Sequence, residues 1–248
     1  MKILVCISSV PDTTTKITFV DDNKNLNKQG VQFVINPYDE FGLTKAIKLK
    51  EQHGGTVTTI CVGQADVEPV IRKTLAIGAD DAVRIDTAPI DAMHVATEIA
   101  NYVKDKGFDL IIAGRESIDY NGGLVPHFLG ELLNLPSVSP CIEFAAEGGT
   151  AKMTTVIDGG KESLSANLPV VIGSQKGLVE ETDLIIPNMR GIMMSRSKPL
   201  AVVPAGGTEH CQAVQKHELP APKAGCKMID SSNVDELVNL LQNEAKVI

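Results

Sequence analysis

Short apolar runs alternate with amphipathic stretches through the first half of the chain, and the alternation predicts strands and helices in turn. Lys2 to Ile7 reads as a buried strand, as do Thr56 to Val62, Asp81 to Ile85, and Phe108 to Ala113, the last ending at Gly114. Between them Leu43, Ala46, Ile47 and Lys50 recur at helical spacing until His53-Gly54-Gly55. Val70, Ile71, Thr74 and Leu75 mark a second helix, with Asp66 as its expected cap and Gly78 as its stop. Ala92, Val95, Ala96, Ile99 and Val103 mark a third. Strands of five or six residues alternating with helices predict an α/β fold built on a Rossmann-like, mainly parallel sheet with right-handed crossovers. Ligands of such sheets bind beyond the carboxyl ends of the strands, near the point where strand order reverses. Cys6 to Val10, Val62 to Ala65 and Gly114 to Val125 are therefore the positions to watch.

Other segments depart from the alternation. Residues 11–37 form an insertion with two strand-like pieces, Lys16 to Val20 and Val31 to Ile35, which predicts an inserted β-hairpin. Thr150 to Ile157 and Lys161 to Leu168 flank Asp158-Gly159-Gly160, a second hairpin closed by glycines that tolerate positive φ. Pro169 then opens the apolar strand PVVIG. After about residue 190 the pattern weakens, and Pro204 to Ala224 has the Pro, Gly and polar content of an extended arm. A closing helix is expected from an N-cap at Ser232, with Val234, Leu237, Val238 and Leu241 on one face to be buried against this chain or a partner. The expected division is an α/β domain over 1–190 and a C-terminal arm with its helix over 191–248.

The 248 residues suffice for one large α/β unit with an appendage. A formal charge of −8, with 23 scattered Lys and Arg, disfavours nucleic acid and anionic membranes as partners. Five cysteines, Cys6, Cys61, Cys141, Cys211 and Cys226, are odd in number, far apart and without metal-ligand spacing, so neither a disulfide framework nor a metal site is expected. The start carries no secretory pattern and no apolar run reaches the roughly 20 residues of a membrane helix. A soluble, cytoplasmic protein in a reducing compartment is expected.

Motifs for common chemistries are missing. The sequence holds no GxGxxG after a strand, no P-loop, no HExxH and no GxSxG elbow, and no histidine adjoins an obvious nucleophile. Asn36-Pro37-Tyr38-Asp39 has the form of a turn and helix start, with Asp39 complementing the helix dipole. Gly114 to Asp119 (GRESID) is a strand end followed by a polar loop, and Tyr120-Asn121-Gly122-Gly123 opens a helix carrying Leu124, Phe128, Leu129, Leu132 and Leu133, a glycine-led start whose backbone N–H groups suit a phosphate.

The order of these pieces resembles the β subunit of electron-transferring flavoproteins over nearly the whole chain. The resemblance is carried by VINPYDEFGLTKAIKLKE, by GRESID in place of a GxQAID motif, by the run from Asp158-Gly159-Gly160 through Glu162 and Pro169 to MRGIMMSRSKPL, and by the terminal ELVNLLQNEAKVI. It implies a domain of adenine-nucleotide-binding type in a heterodimer with an α subunit. The arm would reach that subunit, which would hold most of the redox FAD. This chain would hold AMP, or a second FAD in electron-bifurcating members. The residues implied at the cofactor are Cys6, Ser8, Asn36, Tyr38, Asp39, Val62, Gly63, Gly114, Arg115, Asp119, Gly122, Gly123, Leu124 and Val125. A docking loop for flavin dehydrogenases, such as acyl-CoA dehydrogenases, is implied at 175–184, with Leu178 as an apolar anchor beside Val179 and Glu180. The chain would be an electron-carrier subunit rather than an enzyme, with no catalytic acid, base or nucleophile and no metal.

Three places depart from the family pattern. Tyr120 to His127 (YNGGLVPH) replaces a stretch that usually reads QTG or QVGP, Thr155 replaces a Lys or Arg, and Thr13 stands where some members have Tyr. The docking stretch reads GLVEETD where many relatives have RLNEPRY, so a different partner is expected. The NPYD and MRGIM forms are closer to those of bifurcating relatives. A stand-alone adenine-nucleotide sensor of universal-stress type is the alternative, though it needs neither the arm nor the closing helix. An ATP pyrophosphatase-like enzyme would need an SGGxD motif, and Ser8-Ser9-Val10-Pro11-Asp12 is a poor substitute.

Overall fold

The computed structural model describes residues 1–223 and 225–248. Its elements in chain order begin with β1 (Lys2–Cys6), β2 (Ser9–Pro11), β3 (Phe19–Val20), β4 (Asn25–Leu26) and β5 (Phe33–Ile35). Next come α1 (Pro37–His53), β6 (Thr56–Val62), α2 (Glu68–Ile77), β7 (Asp81–Asp86), α3 (Ala92–Val103), β8 (Leu110–Gly114), α4 (Val125–Leu133) and β9 (Ser137–Cys141). The remainder is β10 (Glu143–Glu147), β11 (Thr150–Ile157), β12 (Gly160–Asn167), β13 (Val170–Ser174), α5 (Met189–Ser195), β14 (Leu200–Pro204) and α6 (Val234–Asn239).

Seven strands form the central sheet in the order β14-β7-β6-β1-β8-β13-β9, and every pairing in it is parallel. Strand order runs outward from β1 to β6 and β7, then returns through α3 to β8 on the other side of β1. The reversal therefore lies between β1 and β8. Because both faces are covered, the strands read as continuous apolar runs, yet their alternate residues separate into two cores. Ile3, Val5 and Ile7 with Leu110 and Ile112 pack under α1 and α2, against Leu43, Ile47, Ile71 and Leu75. Leu4, Cys6, Ile111 and Ala113 pack on the opposite face under α3 and α4, against Ala96, Ile99, Val103 and Leu129. Gly42 lets α1 lie close to the sheet, since a Cβ there would come within 2.7 Å of Ile112 and 2.8 Å of the Ser174 hydroxyl.

A three-stranded antiparallel sheet, β10-β11-β12, sits beside this core. Phe144, Ala146, Ala151 and Met153 face inward, while Glu143, Glu147 and Lys152 face out, the alternation expected of a half-covered sheet. The expected hairpin around Asp158-Gly159 is its β11-β12 pair, with Ile157 opposite Gly160. Its third strand, β10, was not evident in the sequence.

Several expectations are corrected. Residues 11–37 do not form one hairpin: Phe19–Val20 pairs with Asn25–Leu26, whereas Phe33–Ile35 pairs with Ser9–Pro11. Backbone pairing to the stub after β1 outcompetes pairing between the two apolar pieces. Asp66 does not cap α2; it lies in a 3-10 turn, bonded to Lys28 at 2.9 Å, and α2 starts with no side-chain cap. The closing helix is capped by Asn233, whose side chain accepts from Glu236 N, while Ser232 bonds to Asp230. Leu200–Pro204, expected in the arm, is the edge strand of the central sheet. The expected boundary at residue 190 thus falls before the last strand of the α/β domain. Val234, Leu237 and Val238 of α6 are exposed, so its apolar face is not buried against this chain. No helix among the described residues is long and apolar enough to cross a membrane.

Candidate functional site

A cavity of about 570 Å³ opens at the carboxyl ends of β1, β6 and β8, where strand order reverses. Cys6 to Ser9 and Val62 contribute from the first two of these strand ends, and Ala113 to Ser117 from the third. Helix α3 supplies Ala92, Val95 and Ile99, and the loop into α4 with its first turn supplies Gly122 to Pro126. The walls are thus largely apolar, with polar groups gathered on the loop after β8.

Asp39 forms the polar floor. Its carboxylate accepts from Ser8 N at 2.7 Å and from Asn36 Nδ2 at 3.0 Å, and from the backbone N–H of Gly114. Burial nonetheless pushes the carboxyl up to about 7, because those donors offset only part of the cost of taking the charge from water. Gly114 makes this arrangement possible, since a Cβ at that position would collide with Asp39 Oδ1 and come within 2.8 Å of Asn36 Nδ2. Asp39 is therefore a buried group at the reversal point rather than a simple dipole partner of α1.

Asn36 holds the site together from behind. Its Nδ2 also donates to Glu116 O at 2.9 Å and its Oδ1 accepts from Ile118 N at 3.3 Å, pinning the loop after β8 to the start of α1. Arg115 lies over the Tyr38 ring at 5.3 Å and donates to Gln175 and Glu116, each at 3.0 Å. Among the described lining residues it is the only cation, and the lining also includes Asp39, Asp91, Glu116 and Asp119.

The mouth is bounded by α3 and by the chain after β14. Asp91 caps α3 by accepting from His94 N at 2.7 Å, and its second oxygen accepts from Cys211 N and Gln212 N. Burial opposes ionisation of Asp91, but these backbone donors and His94 outweigh it and hold the carboxyl below its usual range. Glu98, two turns further along, behaves in the same way toward Gly206 N and Thr208 N. Gln212, Ala213 and Val214 join the cavity lining.

A family model for the electron transfer flavoprotein domain matches residues 24–206. The chain belongs to the electron transfer flavoprotein family. Proteins named electron transfer flavoprotein subunit beta from Bacillus subtilis and Syntrophomonas wolfei are 32% and 33% identical to it. Those matches cover 100% of this chain and 100% and 98% of the relatives. A mitochondrial protein of that name from Oryza sativa subsp. japonica is 29% identical over 100% of both chains.

Of the positions that the flavoprotein resemblance picked out, Cys6, Ser8, Asp39, Val62, Gly114, Arg115, Asp119, Gly122, Gly123, Leu124 and Val125 converge on the cavity. Asn36, Tyr38 and Gly63 do not line it. Asn36 and Tyr38 support the loop, and Gly63 O accepts from the buried Arg84 at 3.0 Å. Sequence reasoning missed Pro89 to Asp91 and Gln212 to Val214, and it read Ala92, Val95 and Ile99 only as core positions. The signal for α3 was present, since an apolar helix start facing a strand end is where a doubly wound sheet puts a ligand.

The loop at 175–184 differs from its expected form. Leu178 and Val179 are 5% and 6% exposed, and Leu178 belongs to the core under α1. Leu178, expected as an exposed anchor, is thus buried, and Glu180 is the exposed member of the three. Lys48 fastens the loop through Asp183 at 2.6 Å. Large exposed apolar side chains lie instead at Ile186, Met189, Met193 and Met194, on and before α5, and at Val202 on the edge strand.

Among the described residues no cluster of His, Cys, Asp or Glu has the arrangement of a metal site. Cys6 and Cys61 are buried, with desolvation raising both thiols, Cys61 to about 12. Cys61 behaves as a small apolar core residue, while Cys6 also lines the cavity with its thiol held protonated.

Proposed function

We propose that this chain is the β subunit of a heterodimeric electron carrier, with AMP in the cavity between β1 and β8 and an α subunit that holds the redox FAD. The observation that carries the reading is the cavity itself, apolar on its sides, polar at its floor and set at the reversal point of the sheet. Flat apolar walls from Val62, Val95 and Leu124 suit an aromatic base, and Asp39 offers a hydrogen-bonding carboxyl beneath it. The backbone after Tyr120 and the start of α4 are the groups available to a phosphate, a role that does not require the side chains lost from the family's QTG form.

Four carboxyls line the cavity and its only cation among the described residues is already paired with Glu116, so the phosphate of a bound nucleotide would rely on backbone N–H donors. FAD, when bound, supplies reversible electron transfer. This chain's residues would supply the rigid nucleotide-filled domain that covers one side of it.

The contact with α is assigned to the exposed apolar group Ile186, Met189, Met193 and Val202, together with α6. Docking of a dehydrogenase is assigned to the exposed rim of the 175–184 loop, including Lys176, Glu180 and Glu181, which are tied by a Lys176–Glu181 pair at 2.8 Å. The test is co-expression with an α subunit followed by chromatography of the released nucleotides. One FAD and one AMP per heterodimer support the reading. Two FAD would replace it with the bifurcating type, and a monomer holding only ATP would replace it with a nucleotide sensor.

A further inference from the structure

Beyond β14 the chain turns along α3 and is held there by its backbone. Gly206 N and Thr208 N donate to the two oxygens of Glu98 at 2.7 and 3.1 Å, and Cys211 N and Gln212 N donate to one oxygen of Asp91 at 2.6 and 2.7 Å. Asp91 and Glu98 are seven residues apart, two helical turns, so both carboxylates stand on one face about 10.5 Å apart. The segment runs antiparallel to α3, toward the cavity. Past Val214 it is fastened again, with His217 N donating to Asn23 O at 2.7 Å and the His217 ring stacked on Phe19 at 4.8 Å. Between the two attachments, Gln212, Ala213 and Val214 form part of the cavity lining.

We propose that residues 205–217 are a strap that completes the cavity and must lift from Asp91 and Glu98 for a ligand to enter or leave. Four backbone donors bonded to two carboxylates, with the Thr208 hydroxyl adding to them at Glu98, make a latch set mainly by the strap's backbone, which suits a segment without hydrophobic periodicity. Lifting it breaks those bonds and the attachments of His217 to Asn23 and Phe19, while the buried Glu98 regains water as the strap leaves. The strap is therefore less stable than the helix it lies along, as a gating element must be. That the gated ligand is AMP rests on the reading above; the gating does not.

Two readouts keep these apart, both on the full-length chain carrying Cys211→Ser and Cys226→Ser. The first is modification of Cys6, at the cavity floor, by methyl methanethiosulfonate, read by peptide mass. The second is the rate of AMP release. Glu98→Ala removes the latch bonds at its carboxylate, and Thr208→Pro removes the Thr208 N–H and hydroxyl from the strap side. Each is expected to raise both rates, Glu98→Ala by roughly tenfold, with loss of hydrogen-exchange protection over 206–212. Fast exchange of those amides in the parent would overturn the latch. Lost protection with an unchanged Cys6 rate would overturn the gate. Faster Cys6 modification in a protein that retains no AMP would leave the strap standing and remove the nucleotide reading.

Discussion

Leu178→Ala distinguishes packing from docking at the loop after β13. Leu178 is 5% exposed and packs into the core beneath α1, while the loop around it is fastened by the Lys48–Asp183 pair. Truncating a buried leucine costs the transfer of the lost methyl groups plus the cavity left behind, about 2 to 5 kcal/mol. The loop lies one layer below solvent and can settle into part of the space, so the lower end, about 2 to 3 kcal/mol, is expected. For a chain of this size that corresponds to a fall in Tm of roughly 5 to 10 °C. Urea unfolding followed by circular dichroism measures it, with the midpoint shifted and the slope unchanged. Electron transfer to a dehydrogenase, measured well below the new Tm, is expected to keep at least half its rate. An unchanged midpoint with transfer slowed tenfold or more would refute the packing argument and restore Leu178 as a docking anchor.

Other consequences follow from the same geometry. Because burial raises Asp39 from 3.8 to about 7, the native state keeps a proton that the unfolded chain loses between those values, so its contribution is full below about pH 4 and lost as pH rises through 7. Urea midpoints of Asp39→Asn should therefore vary less between pH 5 and 8 than those of the parent. Gly114→Ala should displace the Asp39 carboxyl and reduce bound nucleotide at least tenfold in purified protein, as judged by released absorbance, while Gly159→Ala at the remote hairpin should leave nucleotide content unchanged. Ile186→Asp with Met193→Asp, both at exposed positions, should leave the melting curve of the chain within about 0.5 kcal/mol of the parent and abolish co-purification with an α subunit.

Periodicity alone disclosed the core of the fold. The apolar runs at Lys2, Thr56, Asp81 and Phe108 became β1, β6, β7 and β8, because strands buried on both faces need continuous apolar sequence. Strand β14 escaped notice because an edge strand buries little, and Leu200 to Pro204 sits between a basic helix and a polar arm. Likewise Ser137 to Cys141, the other edge, carries too few apolar residues to stand out. At the site, strand-end reasoning found Cys6, Ser8 and Gly114. It could not find Gln212 to Val214, since backbone donors bonded to Asp91 and Glu98 leave no side-chain pattern. Leu178 differs for another reason: its expected exposure rests on the flavoprotein resemblance and not on its neighbours Gly177 and Val179, and burial in the core is a tertiary outcome that the local sequence does not show.

The central claim is a heterodimer whose β cavity holds one mononucleotide. Co-purifying this chain with an α subunit and counting released nucleotides tests it most directly. The account predicts one FAD and one AMP per heterodimer. Two FAD, or a nucleotide-free cavity in an otherwise intact flavin-bearing complex, would contradict it.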